Sequence, residues 1–233
     1  MSSSQFTVDS SQTGICKLST VNCRLVVATT NPNKVREIRS ILGDVGYDLV
    51  GLEQFALIPP PDETGRTFAE NARLKALAYA GATGELVVAE DSGLEIDALD
   101  GVPGVESARY GGVDTTYPQK FALIYEALRA RHATGRTARF VCALALAHGR
   151  EILFEARGVV EGEIASAPRG HGGFGYDPIF FYPPYGRTLA EVSGEEKAVV
   201  SHRGKAFSAL RQYLCETHDA TKHTKPQNTQ KII

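Results

Sequence analysis

The pattern of apolar and polar residues predicts a strand, a turn and a helix near the start of the chain. Residues 24–29, RLVVAT, form a short apolar and β-branched run that is typical of a buried strand. Asn31 is a favoured N-cap residue, and Pro32 suits the first helical position. Apolar side chains then recur at helical spacing as far as Gly43, a residue type that commonly ends helices.

The same alternation of strands and helices continues through the first half of the chain. Thr67 and Glu70 have the spacing of a capping box, which predicts a second helix from this point. An apolar strand at 86–89 follows, and a third helix is predicted over about 117–132. Strands that alternate with helices are typical of a partly parallel sheet covered by helices.

The second half of the chain predicts antiparallel strands. Residues 138–164 are long enough for two strands that turn near His148–Arg150 as a hairpin. A glycine-rich loop at 170–177 then leads into a short strand near Ile179–Phe181. A final helix is predicted from the spacing of Ala206, Leu210 and Leu214. The sequence therefore predicts a mixed α/β domain whose sheet is partly parallel and partly antiparallel.

Composition favours a globular protein without an affinity for nucleic acid or membranes. Of the 233 residues, 42% are hydrophobic and 22% are charged, and the net charge is −2. No apolar run approaches the roughly 20 residues of a membrane helix. No cysteine lies in a C-x-x-C pair or at zinc-ligand spacing, so we expect reduced or buried thiols and a reducing compartment. The four cysteines are Cys16, Cys23, Cys142 and Cys215.

Polar segments at both ends predict tails around one domain. Residues 1–22 are rich in Ser and Thr and contain a single basic residue, which fits neither a secretory signal nor an Arg-rich transit peptide. The last stretch of the chain is also polar. We therefore predict a flexible tail at 1–22, a single domain at 23–215, a flexible tail at 216–233, and a cytoplasmic protein.

The segment TTNPNK at 29–34 has the chemistry of an anion site. The first turn of a helix offers unpaired backbone N–H groups and a partial positive charge, which suit phosphate. Thr29, Thr30 and Asn31 add side-chain donors, and Lys34 adds a full positive charge. A simple N-cap after a strand has the same appearance, so this segment alone leaves both interpretations open.

Two adjacent carboxylates, Glu90 and Asp91, follow the apolar strand at 86–89 and begin a predicted turn at 90–95. Carboxylate oxygens are ligands that Mg²⁺ prefers, and a carboxylate here could also accept a proton from an attacking water. Asp62 and Glu63 supply acids from a distant segment. The alternative interpretation is a solvated turn with acidic and hydroxyl side chains that cap a helix.

Two later segments add aromatic and basic side chains. Glycines at 170–175 would let a backbone approach a ligand, Phe174 and Tyr176 could stack on a base, and Asp177 could accept hydrogen bonds from its edge. Alternatively, the two rings belong to the core. Residues 195–206 hold a basic cluster suited to phosphate, or else a solvated helix face. Its members are Lys197, His202, Arg203 and Lys205.

The four segments together favour a nucleoside triphosphate ligand. Cations suit its phosphates, acids suit a metal bound to them, and a flat aromatic loop suits its base. Two other classes stay open: a non-catalytic nucleotide-binding module, and a binder of single-stranded nucleic acid. The acidic net charge and the lack of a long basic stretch argue against the nucleic-acid binder.

The same segments resemble the inosine triphosphate pyrophosphatases, a family that hydrolyses non-canonical purine nucleoside triphosphates. The resemblance runs from about Leu25 to Leu214 and rests on ATTNPNKVREI, ETGRTFAENARLKA, EDSGLEIDALDGVPGVESARYGG, GHGGFGYDPIFF and AEVSGEEKAVVSHRGKA. It implies an elongated mixed α/β sheet with flanking helices and two lobes around a central nucleotide-binding cleft. It also implies a homodimer that converts ITP, dITP and XTP to monophosphate and pyrophosphate with Mg²⁺.

The resemblance also implies roles for individual residues. Asp91 would accept the proton of the attacking water and bind Mg²⁺, and Glu63 would be the second metal ligand. Glu90 stands where many bacterial members have Asp, which leaves the metal geometry and the part of Asp62 open. A pyrophosphatase of different base preference is the alternative. The substrate-binding residues would be Thr29, Thr30, Asn31, Pro32, Asn33, Lys34, Ser92, Phe174, Gly175, Tyr176, Asp177, Lys197, His202 and Arg203.

Overall fold

The computed structural model describes residues 24–223, so the predicted N-terminal tail and the end of the C-terminal tail lie outside the described residues. The described strands are β1 (Arg24–Val27), β2 (Asp48–Gly51), β3 (Leu86–Ile96), β4 (Thr137–His148), β5 (Glu151–Ile164), β6 (Phe180–Tyr182) and β7 (Arg187–Thr188). The described α-helices are α1 (Pro32–Leu42), α2 (Phe68–Thr83), α3 (Tyr117–Ala130), α4 (Gly194–Val200) and α5 (His202–His223). No helix within this part of the chain is both long and apolar enough to cross a membrane.

All seven described strands form one mixed sheet in the order β2-β1-β3-β4-β5-β6-β7. The β1 strand pairs in parallel with β2 and β3, whereas every pair from β3 to β7 is antiparallel. The predicted combination of parallel and antiparallel strands is thus confirmed, and so is the β4–β5 hairpin.

Strand β3 is longer than its apolar run, and the prediction of a turn at 90–95 is wrong. Parallel pairing with β1 covers only Leu86–Val88, but antiparallel pairing with β4 continues along the whole strand to Ile96. Hydrogen bonds to β4 therefore keep the polar residues of this stretch extended. Beyond Val88, β4 alone holds β3 in the sheet.

The predicted helix starts are confirmed by their caps. The Asn31 side chain accepts hydrogen bonds from the backbone N–H groups of Asn33 and Lys34, and Thr67 forms the predicted capping box with Glu70. Helix α5 continues to His223, so residues 216–223 of the predicted tail extend the last helix.

Helices cover both faces of the sheet because side chains on successive strand residues point to opposite faces. Val87 and Ala89 pack in one cluster with Ala72 and Ala76 of α2. Val88 packs on the other face, in a cluster that also contains side chains of α1 and α5. A third cluster lies under the antiparallel half of the sheet and includes α3. Cys142 is a buried free thiol of the core, and Cys215 is half-buried and free.

Gly158 lets the start of α5 approach β5. A Cβ atom on Gly158 would stand 2.0 Å from the His202 carbonyl oxygen and 2.8 Å from the Ala206 backbone nitrogen. Both neighbours are backbone atoms of α5, so the clash with a Cβ atom could be relieved only if the helix moved. Because His202 and Arg203 are the first residues of α5, the close contact between α5 and β5 also determines where these two side chains lie.

We expect Gly158→Ala to lower the free energy of unfolding by about 1–3 kcal/mol, the usual cost of overpacking. Urea denaturation followed by circular dichroism measures the change. The control is Gly135→Ala, since a Cβ atom there meets no atom within 4 Å. An unchanged stability in Gly158→Ala would show that the contact does not constrain α5.

Candidate active site

A cleft of about 1290 Å³ opens beside the ends of β1 and β3. Its walls come from the turn before α1, the loop after β2, α2, α3, the glycine-rich loop and the start of α5. All the predicted site residues line it except Asn33 and Asp91. Segments far apart in the sequence are therefore brought together as expected.

The start of α1 faces this cleft with its cap already formed. The Asn31 Oδ1 atom accepts hydrogen bonds from the N–H groups of Asn33 at 2.9 Å and Lys34 at 3.3 Å. Thr29 Oγ1 in turn accepts from the Asn31 N–H at 3.2 Å. The N-cap interpretation of this segment is confirmed. Its position at the wall of the cleft leaves the anion site as a prediction.

Glu90 and Asp91 do not form a carboxylate pair, because neighbouring residues on a strand point to opposite faces. Glu90 contacts Lys34 and Arg203 on the α1 and α5 face. Asp91 contacts Lys75 of α2 on the other face. The two carboxylates therefore make their direct contacts with different cations, although the Glu90 charge also raises the pKa values of Asp91 and Lys75.

Glu90 anchors the cationic side of the cleft. Its Oε1 atom lies 2.7 Å from Lys34 Nζ and 3.3 Å from Arg203 Nη2. Burial raises the pKa of Glu90, but the charges of Lys34 and Arg203 outweigh this effect and hold the pKa well below its ordinary value. Arg203 Nη2 also donates to Ser92 Oγ at 3.0 Å, so Ser92 belongs to the same cluster. Lys205 instead donates to the Val159 carbonyl, away from this group.

Glu37 completes this cluster and is absent from the sequence prediction. Its two carboxylate oxygens accept from Lys197 Nζ at 2.8 Å and Arg203 Nη1 at 2.7 Å. Lys34 and Glu37 lie three residues apart and so share a face of α1. That spacing is the only sequence signal, and it also fits an exposed charge pair on a helix.

Lys75 joins the two predicted metal ligands. Its Nζ atom lies 2.8 Å from Asp91 Oδ1 and 3.0 Å from Glu63 Oε1. Asn71 Nδ2 donates to Asp91 Oδ2 at 3.2 Å, and Arg109 Nη1 lies 2.7 Å from Glu63 Oε2. Asn71 and Lys75, one turn apart on α2, were not predicted as site residues.

These contacts set the charge of the Asp91 cluster. Burial raises the pKa of Asp91, and the neighbouring Lys75 ammonium opposes that effect in part. For Lys75, burial lowers the pKa, but Asp91 and the other nearby carboxylates outweigh it and leave a net rise. The cluster thus holds two acids around one firmly charged lysine.

Glu63 and Asp91 fit a divalent cation better than the other candidate acids do. Their carboxylates already share one cation, the Lys75 ammonium. Asp62 is exposed, and Glu90 belongs to the cluster on the opposite face. Within residues 24–223 no group of three or more acidic, His or Cys side chains forms a complete metal site. Two carboxylates suit Mg²⁺, which commonly takes its remaining ligands from water and phosphate.

The two aromatic residues of the glycine-rich loop both border the cleft, but they differ in burial. Tyr176 is only 4% exposed, and its hydroxyl donates to the Ser107 carbonyl oxygen at 2.8 Å. Lys197 Nζ and Arg203 Cζ lie 4.7 and 5.4 Å from the centre of the Phe174 ring. Phe174 is half-buried and remains a surface for a base, whereas Tyr176 forms part of the supporting core.

Asp177 supports the loop from beneath. Its Oδ2 atom accepts from the Phe174 N–H at 2.8 Å and from Lys197 Nζ at 2.5 Å. Burial raises the pKa of Asp177, while Lys197 opposes the rise. The carboxylate therefore has a structural role in fixing Phe174 and Lys197, beside the base contact predicted from the sequence.

His202 is a neutral, buried side chain at the cleft wall. Its ring stacks on Phe140 at 4.8 Å with an angle of 21° between the planes. Burial lowers the pKa of His202 well below its ordinary value, and the charges of Arg203 and Lys197 lower it further. Among the described residues, Nδ1 of His202 has no hydrogen-bond partner.

The Ham1 family model matches residues 25–213 of the chain. The chain belongs to the Ham1 family. A protein from Thermus thermophilus named dITP/XTP pyrophosphatase is 51% identical over 189 residues, which cover 80% of this chain and 89% of that protein. A protein of the same name from an Exiguobacterium species is 48% identical over 187 residues, 80% of this chain and 94% of that protein.

Solved structures of Ham1 proteins share the fold. The Ham1 protein of Coxiella burnetii superposes with a TM-score of 0.78 at 41% identity and covers 83% of this chain and 99% of its own. The Staphylococcus aureus Ham1 protein gives a TM-score of 0.76 at 37% identity, with the same two coverages. The α/β fold and the family resemblance predicted from the sequence are both confirmed.

Proposed function

We propose that this Ham1-family chain hydrolyses ITP, dITP and XTP to the nucleoside monophosphate and pyrophosphate, and so removes non-canonical purines from the nucleotide pool. The observation that carries the proposal is one cleft with two charged clusters on either side of β3. One cluster presents Lys34, Lys197 and Arg203, and the other contains Glu63 and Asp91. The relatives named dITP/XTP pyrophosphatase support the choice of substrate.

The cationic cluster would bind the triphosphate. Lys34 and Arg203 already share Glu90, and Lys197 and Arg203 share Glu37, so their side chains are held in place before a ligand arrives. A fixed array of cations costs little reorganisation when phosphate charge develops. Arg203 suits bidentate phosphate contact, and the two lysines act as point charges.

Asp91 would orient the attacking water and accept its proton. Hydrogen bonds from Lys75 and Asn71 fix both carboxylate oxygens, which keeps the acceptor in one orientation. Glu63 and Asp91 would hold Mg²⁺, which when bound neutralises charge on phosphate oxygens. Lys75 would remain beside these acids and offset their repulsion.

Base selection would depend on donors at the aromatic end of the cleft. Hypoxanthine and xanthine carry an oxygen at position 6, whereas adenine carries an amino group there. Donors from His202 or from backbone N–H groups would pair with the oxygen but would be left unpaired by the amino group. Each unpaired buried donor costs roughly 1–3 kcal/mol.

The same proposal includes a cytoplasmic homodimer that uses no nucleic acid or membrane partner. Its support is the family resemblance and the balanced composition of the chain. Light scattering of the purified full chain would give about twice the 25.1 kDa chain mass for a dimer.

The function is tested by kcat/KM values for pyrophosphate release from ITP, dITP, XTP, GTP, ATP and dUTP with Mg²⁺. We expect ITP, dITP and XTP to exceed ATP by about ten-fold or more, from the cost of an unpaired donor. Equal values for ATP and ITP would indicate a different base preference. Tight ITP binding without pyrophosphate release would indicate a non-catalytic nucleotide-binding module.

A further inference from the structure

The aromatic side chains that line the cleft include Phe174 and Tyr176 of the glycine-rich loop and Tyr117 of α3. Tyr176 is 4% exposed and uses its hydroxyl within the protein. Tyr117 is 38% exposed, the most accessible large apolar ring among these three. Tyr117 is therefore more accessible to a ligand in the cleft than Tyr176 is.

The Tyr117 ring is held firmly although it is exposed. It is the first residue of α3 and is followed by Pro118, which is pre-organised for a helix start. Its ring centre lies 5.4 Å from Tyr176, edge to face at 89°, and 6.3 Å from Phe121. Lys120 Nζ lies 5.1 Å from the same ring centre. These contacts fix the ring at the wall, so a ligand would not have to order it.

The Tyr117 hydroxyl is available to a ligand. A Cβ atom on Gly175 would stand 3.6 Å from this oxygen, so the glycine leaves room beside it. Within the part of the chain that the structure describes, this hydroxyl makes no hydrogen bond. Burial raises the pKa of Tyr117 and the nearby Asp177 charge adds to the rise, so the hydroxyl keeps its proton at neutral pH.

We propose that Tyr117 is a binding residue for the nucleoside half of the substrate. Its ring packs against the nucleoside, and its hydroxyl hydrogen-bonds to a polar atom of that half. This assignment rests on the proposed function, because it takes the cleft to hold a nucleotide with its base toward the glycine-rich loop. Lys34 and Lys75 lie at other walls, so the assignment separates the contacts of the nucleoside from those of the phosphates.

The test compares two probes that each contain one half of the substrate. Isothermal titration calorimetry measures the binding of inosine 5′-monophosphate and of inorganic tripolyphosphate to the full chain. We expect Tyr117→Ala to weaken inosine monophosphate by about ten-fold or more, as loss of an aromatic contact with a base does, and to leave tripolyphosphate unchanged. Tyr117→Phe keeps the ring and should lose less affinity than Tyr117→Ala.

Tyr185→Ala is the control, because Tyr185 is a partly exposed tyrosine outside the cleft lining. It should leave both affinities unchanged. Circular dichroism and the Tm confirm folding, and Tyr117→Leu replaces Tyr117→Ala if the smaller side chain unfolds the protein. In kinetics with ITP, Tyr117→Ala should raise KM and leave kcat unchanged. This is the result expected when a lost contact stabilises the bound substrate and the transition state equally.

The proposal is overturned if Tyr117→Ala leaves inosine monophosphate binding unchanged, or weakens both probes equally. Failure of the proposed function gives a different result. In that case the wild-type chain would bind both probes but release no pyrophosphate from ITP, and the effect of Tyr117→Ala on the two probes would still decide the assignment.

Discussion

Asp91→Asn is expected to lower kcat for pyrophosphate release from ITP by about 100-fold or more, the usual contribution of a general base. The amide has the shape of the carboxylate but cannot accept the proton of a water, and it loses the ion pair with Lys75. The cationic cluster around Glu90 makes its direct contacts on the opposite face of β3 and should keep them. Nucleotide affinity, measured by calorimetry with an α,β-non-hydrolysable ITP analogue, should therefore stay within a few-fold.

Asp100→Asn is the matched control for this substitution. Its side chain is 80% exposed, pairs with Arg131 at the surface and is not among the residues that line the cleft. It should leave kcat unchanged, because a surface ion pair contributes little. A near-wild-type kcat in Asp91→Asn would remove Asp91 from the proposed role.

Glu90→Gln is expected to lower the free energy of unfolding by about 3–5 kcal/mol at pH 7, the usual cost of removing one partner from a buried ion pair. The substitution leaves Lys34 and the fully buried Arg203 without their shared carboxylate. Urea denaturation measures the change. Glu90→Asp keeps the negative charge at this position, so it should cost less than Glu90→Gln.

The same substitution has a pH signature. The pKa of folded Glu90 lies well below the ordinary 4.5, so its stabilisation is fully present above 4.5 and is lost as the pH falls toward the folded-state pKa. The stability gap between wild type and Glu90→Gln should therefore be largest at pH 7 and smaller at pH 3. An equal gap at both pH values, or no gap, would contradict the role of Glu90 as an anchor.

Local sequence signals predicted the helix starts well. Asn31 with Pro32, and Thr67 with Glu70, determine helix ends through contacts within a few residues, so their effect does not depend on the rest of the fold. The β4–β5 hairpin follows in the same way from two apolar runs joined by a short turn. The sequence also identified the four segments that line the cleft as candidate site segments, because each contains residue types suited to phosphate, metal or base.

The pairing of distant residues was harder to predict. The turn expected at 90–95 is strand because β4, some fifty residues later, pairs with it along its length. Once this stretch is a strand, Glu90 and Asp91 must point to opposite faces, and the idea of a carboxylate pair fails. The sequence left open whether Asp62, Glu63 or Glu90 accompanies Asp91, and the structure places Glu90 against Lys34 and Arg203 instead.

Three functional candidates gave no distinctive sequence signal. Glu37 and Lys75 are charged residues on amphipathic helices, and most such residues face solvent. Tyr117 looks like an ordinary helix residue before a proline. Only the structure shows that Lys75 joins Asp91 to Glu63, that Glu37 joins Lys197 to Arg203, and that Tyr117 lines the cleft.

The central claim is that the two charged clusters act on one nucleoside triphosphate and direct water to the bond between its α- and β-phosphates. The most direct test follows the ³¹P NMR spectrum of ITP with the full-length chain and Mg²⁺. We predict inosine monophosphate and pyrophosphate as the only products. Inosine diphosphate with inorganic phosphate, or ITP that stays intact, would contradict the account.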